Sequence, residues 1–146
     1  MKQRKEKVEP AEEALNEPLE FPDYEIVEGK VWYPPDEFLV KAHDIMIKRY
    51  GGWTGFETGL KPYHKLIEEA KRAKGVYRKA AILLRGIATS RIFQDGHHRT
   101  AFIVTKTFLE VNDVKPMQKS DPEIIKFIKD IRQHNIDEIE SWLKND

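Results

Sequence analysis

Cysteine is absent from the 146-residue chain, which removes disulfides, thiolate nucleophiles and cysteine-ligated zinc from the chemistry open to it. No apolar run approaches the roughly 20 residues that a bilayer-spanning helix needs. The stretch Met1 to Glu9 is polar and lacks the apolar region of a secretory signal, so a cytoplasmic location without a membrane partner is the expectation. Net charge is missing too. The 25 basic and 25 acidic side chains cancel, so no overall field draws nucleic acid or an anionic surface, and direct nucleic-acid binding is not expected. Asn and Gln are few beside abundant Lys, Glu and Arg, a bias found in thermophile proteins. What is present is enough apolar material for one core, 40% of residues, beneath a heavily ionised surface in which 34% are charged. The length suits a single domain, and hence one active site.

Residues 1–20 mix charges of both signs with Pro10 and Pro18, which reads as an N-terminal arm or loose helix; residues 21–146 form the domain. Between Phe21 and Tyr33, the residues Tyr24, Ile26, Val31 and Trp32 flank a turn signal at Glu28-Gly29, predicting one or two short strands. From Pro35 onward the periodicity is helical. Phe38, Ala42, Ile45 and Met46 share one face of a helix over 35–50 that Gly51-Gly52 stops. Tyr63, Ile67 and Ala70 align over 62–73. A helix over 76–92 is apolar around much of its girth, the mark of a central position. A helix over 97–111 follows after a few residues and packs on it as a hairpin. Ser120-Asp121-Pro122-Glu123 reads as a capping box before an Ile124, Ile128 and Ile131 stripe. Asn135-Ile136-Asp137-Glu138 repeats that logic before Ile139 and Leu143. The expected fold is all-α with a small β element near the N-terminus.

One segment departs from core-plus-surface patterning: Arg91-Ile92-Phe93-Gln94-Asp95-Gly96-His97-His98-Arg99-Thr100. It sets a glycine turn at the start of a helix, where unpaired N–H groups and the positive end of the helix dipole favour an anion such as phosphate. Arg99 in the first turn offers a forked donor set to that phosphate. Asp95 beside the turn offers the carboxylate that Mg²⁺ takes together with phosphate oxygens. Asp-Gly before a helix is equally an ordinary turn with an N-cap.

The same segment resembles the signature of the Fic/Doc (death-on-curing) family, His-x-Phe-x-Asp-(Gly or Ala)-Asn-(Gly or Lys)-Arg. It matches at Phe93, Asp95, Gly96, Arg99, Thr100 and Ala101. His43-Asp44, Arg49-Tyr50-Gly51-Gly52 and Gly59-Leu60 are similar to the upstream part of the Doc branch, in order, so residues 31–143 can be laid on the pattern. The resemblance implies a Fic/Doc-like helical bundle that moves a phosphoryl or adenylyl group from ATP, or another nucleoside triphosphate, to a protein hydroxyl. It implies Asp95 as the Mg²⁺ ligand, Arg99 as a catalytic phosphate contact, Gly96, His97 and His98 as the anion loop with Arg99, and Phe93 as a core anchor. Gly51 to Gly59 corresponds to a flap that binds the protein target by strand addition, with Trp53 and Phe56 at its tip contacting a partner or packing locally. The resemblance also implies the toxin of a toxin–antitoxin pair, restrained by a separate antitoxin.

Two positions depart from the family. Arg91 stands where the catalytic histidine belongs, and arginine takes no proton at neutral pH because its pKa lies above about 12. His97 stands where the anion loop has asparagine. The alternative is therefore a catalytically impaired homologue that acts as a nucleotide- or protein-binding module. His43-Asp44 also suits a metal phosphohydrolase with His64, His97 or His98 as further ligands, though no second spacing demands it. As surface or hydrogen-bonded core residues, His43, His64 and His134 need no such role.

Overall fold

The computed structural model describes residues 27 and 29–145. The expected arm over residues 1–20 lies outside them, as do Tyr24 and Ile26 of the expected strands. Among the described residues six α-helices succeed one another: α1 Asp36–Tyr50, α2 Lys61–Arg72, α3 Val76–Thr89, α4 His97–Val111, α5 Asp121–Lys129 and α6 Ile136–Leu143. A 3₁₀ turn, Ile131–Gln133, joins the last two.

Local chemistry sets the helix ends. Asp36 and Glu37 sit in the first turn of α1 and Lys48 and Arg49 in its last, each matched to the dipole. Gly51, at φ 81°, ends that helix in a backbone conformation that a side chain would strain. Asn135 and Glu138 cap α6 reciprocally. At α5 only half of the expected capping box forms: the Ser120 hydroxyl accepts from the Glu123 N–H, but the Glu123 carboxylate meets that hydroxyl rather than the Ser120 backbone.

The central helix is α3, which buries an unbroken run from Lys79 to Leu84 and then Ile87 and Ala88. It packs against α2, α4 and α6, while α1 and α5 lie on α4. Small residues make this possible: a Cβ on Gly86 would fall 2.1 Å from Leu66 Cδ2 of α2. On α1, Phe38, Ala42 and Met46 are buried as the periodicity requires, whereas Ile45 is only half-buried; Leu39, His43, Ile47 and Tyr50 widen the buried face.

The structure corrects the sequence expectation in two places, the end of α3 and the burial of Ile131, while much of the expected β element lies outside the described residues. No strand forms among the described residues near the N-terminus. The Trp32 N–H donates to Asn112 Oδ1 (2.7 Å) and the Trp32 carbonyl accepts from Asn112 Nδ2 (3.0 Å), so a side-chain amide takes the place of a strand partner, and Pro34 and Pro35 have no N–H to continue a ladder. Helix α3 stops at Thr89, not Ile92, because the chain from Ser90 turns out to bond loop 51–59. Ile131 is buried from the 3₁₀ turn, not from a continuation of α5. No helix among the described residues is long and apolar enough to cross a membrane.

Candidate functional site

The site is built where α4 begins. Gly96 precedes the helix in the left-handed conformation (φ 77°) and no side chain caps the first turn. The Thr100 N–H makes the first helical bond, to the Gly96 carbonyl (3.1 Å), so the N–H groups of His97, His98 and Arg99 stand at the positive end of the dipole without helical partners. Asp95 is not a cap either. Its Oδ1 accepts from the Gly96 N–H (3.1 Å) and its Oδ2 from the Trp53 N–H (3.2 Å). A side chain at Gly52 would collide with that carboxylate, its Cβ lying 2.7 Å from Asp95 Oδ2. The Asp95 carboxylate is thus fixed between its own helix start and loop 51–59.

That loop lies along residues 91–94. Glu57 N–H donates to the Ile92 carbonyl (2.9 Å), Thr58 N–H to Arg91 (3.2 Å), Gly59 N–H to Ile92 (3.3 Å) and Gln94 N–H to Gly55 (3.1 Å). Phe56 and Phe93 form an antiparallel bridge. Phe93 is the buried anchor expected of it and stacks on Phe56 (5.3 Å between centroids) and on His43 of α1 (3.7 Å, 4° between planes). Phe56 itself remains 44% exposed. His43 is buried, and its Nε2–H donates to the Asp95 carbonyl (2.8 Å). Burial holds its pKa below the ordinary 6.5, opposed by that hydrogen bond and by the nearby Asp44 carboxylate.

The remaining expected residues diverge. Arg91, a non-glycine residue at φ 51°, turns outward and forks onto Glu57, Nε to Oε2 and a second nitrogen to Oε1 (3.1 Å). The pairing raises the pKa of Arg91 further and lowers that of Glu57, so Arg91 holds its proton firmly. His97 has both ring nitrogens out of solvent and without a hydrogen-bond partner; burial, then the Arg91 charge, depresses its pKa. His98 and Arg99 face a different space, a cavity of about 320 Å³ between α4 and α5 lined also by Phe102, Ile124, Ile128 and Lys129. The pKa of His98 is lowered by burial and then by Arg132 and Arg99. The Arg99 guanidinium lies 4.1 Å over the Tyr50 ring, and no carboxylate among the described residues pairs with it.

Six expected residues therefore form two groups. Asp95 and Arg91 bond loop 51–59, and Gly96 and His97 follow at the helix start, Gly96 against Ile47 and His43 of α1; His98 and Arg99 line the cavity, whose wall includes none of the other four. Sequence reasoning missed Glu57, Tyr50 and Lys129, since no spacing announces a partner 34 residues away such as Glu57 is to Arg91. Among the described residues no three His, Asp or Glu side chains converge as a metal cage. His64 instead pairs with Asp36 (2.7 Å) and joins no such group with His43 and Asp44. No protein-family model matches the chain, and no curated protein matches it.

Proposed function

We propose that the chain is a Fic/Doc-like protein that binds a magnesium nucleoside triphosphate, ATP or a relative, at the start of α4. It transfers a phosphoryl or adenylyl group from that nucleotide to a protein hydroxyl, as the toxin of an antitoxin-restrained pair would. One observation carries the reading: the uncapped first turn of α4 and the carboxylate-free Arg99 adjoin a cavity with cations on its wall and Phe102, Ile124 and Ile128 as its floor. Phosphates suit the first and a flat heterocycle the second. Mg²⁺ fits the single carboxylate of Asp95, because it habitually takes one or two carboxylates together with phosphate oxygens and water. When bound it would neutralise phosphate charge. Arg99, steadied on Tyr50, orients the phosphates.

Position 91 supplies no base, so transfer is slow. The Arg91–Glu57 pair also favours a second reading, a nucleotide- or protein-binding module without turnover. Calorimetric titration with Mg-ATP, followed by assays of labelled phosphate and AMP transfer in the unmodified chain and in Arg91→His, separates the two. Both chains should bind, and Arg91→His should transfer on the order of 10²-fold faster, the low end of general-base effects. Transfer by the unmodified chain at the Arg91→His rate removes the second reading. Failure of both chains to bind Mg-ATP removes the transferase and the nucleotide-binding module, leaving only a protein-binding one.

A further inference from the structure

Loop 51–59 has the construction of a hinged strap. Glycines at positive φ stand at both of its ends, Gly51 (81°) and Gly52 (126°) at one and Gly59 (83°) at the other, with Gly55 (101°) between. These positions absorb large backbone rotations that other residues resist. Little apolar surface anchors the loop: Gly52 is its one buried residue, and Thr54, Phe56, Glu57 and Thr58 are exposed. Four backbone hydrogen bonds of 2.9–3.3 Å hold it to residues 91–94; two end on the carbonyl of buried Ile92, and the other two join exposed Arg91 and half-buried Gln94, where water competes for them. Segments with few buried contacts and exposed backbone bonds open at low free energy. Side chains fasten the loop as well: Phe56 stacks on Phe93, Gln94 Nε2 donates to the Phe56 carbonyl (3.3 Å) and the Thr58 hydroxyl to the Arg91 carbonyl (2.9 Å). The one ionic fastening among the described residues of the loop is the forked Arg91–Glu57 pair, both members of which are solvent-exposed, at 55% and 38%. At the near end the Trp53 N–H holds Asp95 Oδ2.

We infer that this loop opens and closes over the Asp95 side of the α4 start and that the Arg91–Glu57 pair is its latch. Closed, the strap commits one oxygen of Asp95 to the Trp53 N–H; open, it releases that oxygen for a cation or a ligand group. Arg91 is then a positioning residue that acts through Glu57 on the loop, not on reacting atoms. This inference is independent of what the site transfers, and its test uses no nucleotide.

The experiment is backbone hydrogen exchange at Glu57, Thr58, Gly59 and Gln94, with the α3 and α4 core amides as the measure of intact folding. The chains compared are the unmodified protein, Glu57→Gln, Arg91→Ala and the reversed pair Glu57→Arg with Arg91→Glu. An exposed pair of this kind predicts about two- to fivefold faster exchange at the four loop amides in each single variant, with the core amides unchanged. Exchange in the reversed pair should return to within about twofold of the unmodified chain, by the same reasoning. Raising salt to about 1 M, where the Debye length falls to about 3 Å and exposed charges are strongly screened, should quicken exchange in the unmodified chain but not in Glu57→Gln. Loop exchange in Glu57→Gln equal to that of the unmodified chain overturns the latch, as does a reversed pair that exchanges like the single variants. Should Arg91→Ala fail to fold, Glu57→Gln, which changes only charge, decides the matter alone.

Discussion

His43 stays neutral in the folded chain because its ring is sealed between α1 and Phe93, with one nitrogen committed to the Asp95 carbonyl. Its folded pKa lies below the unfolded value of 6.5, so below that pH the unfolded chain binds more protons and stability drops. The contribution is complete above 6.5 and is lost as pH falls through the depressed folded value. His97 and His98, both also depressed by burial, add in the same direction. Urea midpoints should therefore decline between about pH 7 and pH 5, and His43→Gln, which keeps a donor but does not titrate, should flatten part of that decline. An unchanged slope in His43→Gln would count against the assignment. At this scale the sequence was only half legible. Phe93 reads as an anchor from its motif position, whereas the partner of His43 is a backbone carbonyl 52 residues away that no side-chain pattern encodes.

Helix α2 ends on a buried cation. The Lys79 Nζ, reaching across from α3, donates to the carbonyls of Ala73 (2.6 Å), Ala70 (3.0 Å) and Lys71 (3.4 Å) at the end of α2; Ala70 also accepts from the Ala73 N–H (3.1 Å). The positive charge sits at the negative end of that helix dipole. Lys79→Met keeps most of the buried stem but takes the charged donor from those carbonyls, and should cost about 1.5–3 kcal/mol in chemical denaturation, the range for hydrogen bonds to charged groups. Gly86 is the second device that joins α2 to α3. Alanine is the better helix former by about 1 kcal/mol, yet its Cβ would overlap Leu66 at three atoms closer than 3 Å. Overpacking costs about 1–3 kcal/mol, so Gly86→Ala should lower the melting temperature despite its higher propensity; a rise would mean that Leu66 relocates freely. Helix starts and stops were legible because glycines and caps act locally, as at Gly51, Gly96 and Asn135. The end of α3 was not, since Ile92 continues an apolar pattern and leaves the helix only to bond a loop more than thirty residues earlier.

Across the whole molecule, apolar periodicity was sufficient to place six helices and to make α3 the centre, because burial of a helical stripe depends on composition at spacings of three and four. Of the expected small β element, Tyr24 and Ile26 lie outside the described residues, and at Trp32 the Asn112 amide closes on both backbone polar groups. The candidate site was legible as a segment but not as a shape: adjacent histidines on one helix part company, and the residues expected at one phosphate cradle divide between a loop and a cavity. The Trp32 clasp has a further consequence. Helix α4 is a rod of 15 residues, about 22 Å long at 1.5 Å per residue. Asn112, at its far end, grips the chain entering from the N-terminal side, while Asp95 and Gly96 stand at its near end. One rod thus fixes the spacing between the chain entering at Trp32 and the Asp95 carboxylate at the opposite tip.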